Sequence, residues 1–225
     1  MTYLADWQRL DLALTRAIWT EGEGFGLARN ASLLLIRDGF MGLSDAVVIL
    51  AVALLLLGAA LPAVRIVRMR VLGYVVTLFA LGPGLAVGTL KTVFGRPRPY
   101  DLTVFGGTAD YVRPFEISAQ CRHGCSFVSA ETSSIVAVVA ILCLIVTPHL
   151  SRRIRGLTDA LICAAAVLCA GLRVTFGAHF LSDVVFAALL TASLALALYL
   201  AFGLDRMTTP LLPLTRTGEI GRAHV

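Results

Sequence analysis

The sequence predicts an all-α integral membrane protein: five transmembrane helices, preceded by an amphipathic helix at the membrane interface. Three observations predict it. Of the 225 residues, 58% are hydrophobic and only 15% charged, and the mean hydropathy is +0.85, a composition far from that of a soluble domain. Apolar runs long enough to cross roughly 30 Å of hydrocarbon, about 20 helical residues each, recur along the chain. The arginines gather in the links between alternate runs.

The N-terminal stretch lacks a basic start, an apolar core and a small-residue cleavage site, so it is not read as a signal peptide. Leu4, Trp7, Leu10, Leu14 and Ile18 recur at helical spacing, with Asp6, Arg9, Asp11 and Arg16 at the other positions. That pattern fits a helix on the lipid surface or one packed on the spans. Uncharged runs at 46–64, 71–90 and 184–204 are three spans. Residues 127–148, interrupted only by Glu131, and 156–172, interrupted only by Asp159, are two more. We expect one membrane-embedded domain, with surface helices over 1–45, five spans over 46–204 and a tail over 205–225.

The net charge of +5 is less informative than its distribution, and no nucleic-acid partner is expected from it. Arg65, Arg68 and Arg70 fill the first link, Arg152, Arg153 and Arg155 the third, and Arg206, Arg216 and Arg222 the tail. The positive-inside rule puts these in the cytoplasm. The first 45 residues, the connection over 91–126 and the turn over 173–182 then face outward, which for a bacterial inner membrane is the periplasm. Cys143, Cys163 and Cys169 fall inside spans and read as small packing residues. Cys121 and Cys125, in the outward "CRHGC", are expected to form a disulfide that an oxidising compartment permits; metal binding by this pair with His123 is the alternative.

Ionisable residues collect at the outward ends of the spans: Lys91, Arg96 and Arg98 after the second, Ser126, Ser129 and Glu131 opening the third, Arg173 closing the fourth, His179 and Asp183 opening the fifth. Charges at such positions are costly and usually functional. Taken singly, each has a plain explanation, such as a snorkelling cation or a helix-end carboxylate. Taken together they suit phosphoryl transfer, in which negative charge spreads over three equatorial oxygens and oriented donors must meet it. Lys91, Arg98 and Arg173 are such donors, and the helix start near Ser129 and Ala130 adds backbone N–H groups. His179 can attack phosphorus while a carboxylate holds its other ring nitrogen. Asp183, four residues on, can be that carboxylate if the turn becomes helical there.

These residues resemble a family. "K-T-V-F-G-R-P-R-P" is similar to the K-x-x-x-x-x-x-R-P motif of the type 2 phosphatidic acid phosphatases, with Lys91, Arg98 and Pro99 in its fixed positions. "R-V-T-F-G-A-H-F-L-S-D" is similar to that family's R-x-x-x-x-x-H-x-x-x-D through Arg173, His179 and Asp183. The resemblance covers about residues 40–204. It implies a helical membrane bundle, usually of six spans, and metal-independent, cofactor-free dephosphorylation of a lipid phosphate through a phosphohistidine on His179. The N-terminal surface helix stands where the first of six spans would be. The middle motif, S-F-P-S-G-H in the family, reads S-F-V-S-A-E, so Val128, Ala130 and Glu131 replace Pro, Gly and His, and Leu172 stands where a serine often precedes the arginine. Glu131 therefore occupies the position of the general acid, a role a protonated carboxyl can fill.

The sequence thus predicts a lipid phosphatase with His179 as nucleophile, Asp183 orienting it and Glu131 as acid and later base. Lys91, Arg98, Ser129, Ala130 and Arg173 are expected to hold the phosphoryl group, with Arg96 and His123 near the entrance. A lipid A phosphate is slightly preferred over phosphatidylglycerol phosphate, phosphatidic acid and undecaprenyl diphosphate. A non-catalytic lipid-binding or transport protein is the runner-up, and a lipid-to-lipid phosphotransferase the third reading. The oligomeric state is left open.

Overall fold

The computed structural model describes residues 2–206, so Arg216 and Arg222 of the expected cytoplasmic tail lie outside it. Among the described residues seven α-helices form the frame: α1 (Thr2–Ile18), α2 (Ala31–Ala60), α3 (Met69–Phe79), α4 (Val87–Phe94), α5 (Ala130–Ile141), α6 (Arg152–Thr175) and α7 (Leu181–Ala201). Among the described residues five stretches are long and apolar enough to cross a membrane: Ala31–Ala60, Met69–Asp101, Ala130–His149, Arg152–Thr175 and Leu181–Ala201. Lipid offers no hydrogen-bonding partner to the backbone, so a chain this apolar spans as helices. Large side chains such as Leu35, Ile49, Leu161 and Val167 are exposed on the outside of the bundle, where lipid would cover them.

The first span begins earlier than the expected residue 46. Asn30 caps α2 by accepting from Leu33 N at 3.1 Å, and the helix then runs through Arg37, Asp38 and Asp45. An apolar-run count stops at these charges, whereas the helix continues through them.

The second span is one continuous rod from α3 to α4 through a π-helical stretch, Ala80–Ala86, that contains Pro83. Proline has no N–H to give and crowds the preceding turn, and a widened turn absorbs both defects. A second such stretch, Leu142–Val146, carries α5 into the turn at Pro148. The core lies midway along the bundle, where Tyr74 and Leu78 of α3 meet Ala137 of α5 and Ala195 of α7. Ser133 and Thr191 share a 2.7 Å hydroxyl–hydroxyl hydrogen bond between α5 and α7, each satisfying the other where water is excluded.

The starts of α2, α5 and α7 and the ends of α4 and α6 lie at one end of this up-and-down arrangement, and the arginine-rich links lie at the other. Over the first end the segment 95–129 folds back, anchored by edge-to-face rings: Phe115 on Phe186 at 4.7 Å and Phe94 on Phe127 at 5.3 Å. The inner face of α1 packs here too. Thr15 and Asp11 are buried while Leu10 and Leu14 remain exposed; Trp7 packs on Phe186 at 5.4 Å and Leu12 and Ile18 on a buried aromatic cluster, so the face of α1 that meets the bundle mixes polar and apolar residues.

Candidate active site

Two glycines shape the backbone that carries the cations and the histidine. Gly95 ends α4 in the left-handed region, φ 52°, its N–H reaching Lys91 O at 3.2 Å; a Cβ there would collide with the Ser118 carbonyl. Gly177, φ 64°, does the same after α6, closely backed by the Phe25 ring. The chain then turns so that the N–H groups of Ala178 and His179 both reach Arg173 O, at 3.2 and 3.1 Å. Arg173 and His179 are thereby fixed to each other through the five residues between them.

His179 does not lie on a helix. It precedes α7, and Asp183 reaches it as a cap: one carboxylate oxygen accepts from Phe180 N at 2.8 Å, and the same oxygen lies 3.6 Å from His179 Nδ1. Asp183 thus comes beside His179 through a cap on α7 rather than through the helical turn expected. Ser126 donates to that oxygen as well, and its hydroxyl is 3.4 Å from Nδ1. The imidazole is 2% exposed. Burial holds it down at about 4, against the opposing pull of Asp183, so it is neutral at pH 7. Nδ1 thus faces Ser126 and Asp183, and among the described residues no hydrogen bond occupies Nε2.

Two of the expected phosphate donors, Lys91 and Arg173, act on this ring as neighbouring cations, and Arg98 acts on Lys91. Lys91 donates to Cys125 O and lies 3.5 Å from Ser126 O. Arg98 donates to Gly124 O at 2.7 Å. Both cations are thus steadied by carbonyls of the five-residue loop that Cys121 and Cys125 close as a disulfide, with Cα atoms 5.6 Å apart. Ser129 caps α5, its hydroxyl oxygen accepting from Thr132 N at 3.3 Å and Thr132 Oγ1 at 3.0 Å. The cap leaves the N–H groups of Ala130 and Glu131 without a backbone acceptor, as at any helix start.

Glu131 is engaged from two sides. Arg37 of α2 donates to both of its oxygens, at 2.8 and 2.5 Å, and Arg173 reaches it at 3.1 Å. The Nε of Arg173 is buried with no partner among the described residues, leaving a donor for a further acceptor. Just inward of this trio, an apolar crevice of about 210 Å³ runs between α2, α5 and α6, lined by Phe40, Leu43, Ile135, Val138 and Ala166.

Two expected entrance residues are corrected. Arg96 is 1% exposed and lies behind Asp183, bonded to Asp183 at 2.5 Å, Asp11 at 2.8 Å, Ser182 at 2.8 Å and Val112 O at 2.7 Å, with its guanidinium stacked 4.3 Å over Phe180. A charge with that many fixed partners is a buried tie, not a gate. His123 is exposed at the tip of the disulfide loop, and none of its contacts reaches the cluster; the Cys121 and Cys125 sulfurs are spent on each other, so the metal alternative has lost two of its three ligands. Sequence reasoning missed Arg37, Asp11, Tyr111 and the role of Ser126. An arginine entering an apolar span was a readable signal for Arg37; nothing in the local pattern distinguished Asp11.

Residues 46–206 match the PAP2 superfamily. The chain belongs to that family. The matched segment holds all the residues of the K-x-x-x-x-x-x-R-P and R-x-x-x-x-x-H-x-x-x-D patterns, so the resemblance read from those motifs was to the right family. Among curated proteins the chain is 35% identical over 106 residues to a lipid A 4'-phosphatase of Rhizobium leguminosarum, covering 47% of this chain and 43% of that one. It is 38% identical over 111 residues to a lipid A 4'-phosphatase of Francisella tularensis subsp. novicida, covering 47% and 46%. A lipid A 4'-phosphatase of Rhizobium etli is similar at 34% over 105 residues, 46% of this chain and 39% of its own. The alignments thus span less than half the length of these relatives. No solved structure matches the chain.

Proposed function

We propose that this PAP2 superfamily member is a metal-independent lipid phosphatase that hydrolyses a lipid phosphate, with a lipid A phosphate as the first candidate, at a site facing the periplasm of a bacterial inner membrane. The observation that supports the reading is the buried neutral His179, its Nδ1 3.6 Å from the Asp183 carboxylate and Lys91 and Arg173 acting on it as neighbouring cations; a proton on Nδ1, toward Asp183, leaves Nε2 as the nucleophile. Nε2 attacks phosphorus, the bond to the leaving oxygen breaks, and Asp183 stabilises the imidazolium that forms. The three cations and the open N–H groups of α5 meet the charge on the equatorial oxygens. The apolar crevice beside Glu131 suits an acyl chain of the substrate.

Glu131 has no proton to give while both its oxygens accept from arginine. Arg37 alone holds both of those oxygens, so for Glu131 to act as the acid a bound phosphoryl group must draw Arg173 away, Arg37 must release one oxygen, and that oxygen must take a proton from the incoming acidic phosphate and pass it to the leaving oxygen. In the second step the same carboxylate takes a proton from the water that attacks the phosphohistidine, and phosphate and free His179 are released. The similarity to lipid A 4'-phosphatases supports lipid A as the first substrate to assay. The runner-up, a lipid-binding protein without turnover, is favoured by one observation: Glu131 already neutralises Arg173.

Purified protein assayed for phosphate release from lipid A, phosphatidic acid, phosphatidylglycerol phosphate and undecaprenyl diphosphate tests this. We expect release from at least one without added acceptor lipid, unaffected by chelator and lost in His179→Ala. Binding without release would establish the runner-up, release only with an acceptor the phosphotransferase, and full activity in His179→Ala would end the phosphohistidine mechanism.

A further inference from the structure

Helix α1 lies outside the segment that matches the family, yet it delivers a fully buried carboxylate to the back of the site. Asp11 accepts from Ser182 N at 2.9 Å, Ser182 Oγ at 2.6 Å, Tyr111 Oη at 3.0 Å and Arg96 Nη2 at 2.8 Å. Arg96 meanwhile holds Asp183 through Nη1 at 2.5 Å. Two carboxylates, one from each end of the chain, thus share one guanidinium, and only the second of them faces His179.

An apolar side chain would anchor α1 here without the cost of stripping water from a charge. The charge has a use that packing does not explain. Arg96 opposed by Asp183 alone would draw the Asp183 charge away from the imidazole. With Asp11 on its other edge, Arg96 is already neutralised, and Asp183 keeps its charge for the imidazolium that forms when Nε2 attacks. We propose that Asp11 is a positioning residue: through Arg96 it fixes the orientation of Asp183 and the charge Asp183 presents to His179, so that α1 is part of the working site. This rests on the reading of His179 as nucleophile.

Several groups face His179 and share its titration. Lys91 reaches it from α4, Glu131 from α5, Arg173 from α6 and Asp183 from α7, with the Ser126 hydroxyl from the loop. Arg96, Tyr111 and Asp11 stand behind Asp183, and Arg37 stands behind Glu131. Of these, Asp11 is reached only through Arg96, Tyr111 and Ser182, so its removal leaves every direct partner of His179 in place.

The test is the titration of His179 in the full chain in detergent micelles, followed by NMR on labelled histidine. The chain has four histidines, and His179→Gln assigns the resonance. Asp11→Asn is expected to lower the midpoint by about half a unit or more, and to lower kcat about tenfold with KM little changed. Tyr111→Phe removes hydroxyl contacts but no charge, and its midpoint should stay at the wild-type value. Asp11→Asn combined with Arg96→Gln removes the uncompensated cation together with its partner, so the midpoint should return to the wild-type value or rise above it. A wild-type midpoint in Asp11→Asn, an equal shift in Tyr111→Phe, or a double variant as low as the single would each overturn the proposal. If Asp11→Asn fails to accumulate, the double variant decides, since a midpoint below wild type there overturns it. The titration needs no substrate. A shift in protein that never turns over would retire the phosphatase reading and keep the role of Asp11, whereas an unshifted midpoint in active enzyme would do the reverse.

Discussion

Glu131 shows how one residue's surroundings decide which chemistry it can do. A carboxylate flanked by Arg37 and Arg173 is poised as a base; in the proposed mechanism it acts as an acid only once the phosphoryl group has taken Arg173, Arg37 has released one oxygen and that oxygen has taken up a proton. A departing phosphate is a weak base that needs little help, while an alcohol's alkoxide needs a proton. Glu131→Gln should therefore slow hydrolysis of an alkyl phosphate on the order of a hundredfold or more and that of a diphosphate far less. Equal losses on both, where chemistry limits the rate, would remove Glu131 from the first step. His179 gives a second prediction. Burial depresses it to about 4 from an ordinary 6.5, so the folded protein keeps the ring neutral over a window in which the unfolded chain takes up a proton. Stability should fall as pH drops through about 6.5 and level off below about 4, by a few kcal/mol from this residue. The acid limb of kcat/KM, corrected for the substrate's own titration, should lie near pH 4; a limb near 6.5 would mean that the ring is hydrated or that another group limits.

At the scale of elements, the disulfide loop is a bracket for the cations. Lys91 leans on the Cys125 carbonyl and Arg98 on that of Gly124, on a loop held by a five-residue covalent ring. Neither sulfur touches the proposed chemistry. Reduction, or Cys121→Ser, should raise KM for the lipid phosphate by roughly 3- to 10-fold, about 1 kcal/mol of binding, with a smaller change in kcat. Free alkylation of both thiols in oxidised membranes would show that the bracket does not form in the cell. The helix ends work in the same way. Ser129 caps α5 and Asp183 caps α7, so the groups that start the two helices also aim the N–H donors and the imidazole.

For the whole molecule, the even placement of helix ends puts the proposed site at one end and Arg65, Arg68, Arg152 and Arg153 at the other. The positive-inside rule leads us to propose that this second end is cytoplasmic. In intact cells, in a background without native cysteines, a cysteine at Arg153 should resist a membrane-impermeant maleimide and one at the exposed Thr108 should react. The opposite pattern would turn the site toward the cytoplasm and with it the source of the substrate.

What the sequence determined by itself is what depends on composition and on spacing along one element. Apolar run length gave five spans, and two fixed-interval patterns gave the family and named Lys91, Arg98, Arg173, His179 and Asp183. These were legible because a bilayer admits few backbone solutions and because each pattern lies within one helix end and its turn. What only the tertiary structure decided are pairings across the chain. Arg37 and Glu131 are 94 positions apart, and Asp11 and Ser182 are 171 apart; no local periodicity encodes which buried charge finds which partner. Arg96 was misread for the same reason. Its motif position placed it beside the site, but whether a guanidinium faces substrate or is locked behind Asp183 depends on a carboxylate that arrives from α1, because a buried charge goes where its partners are.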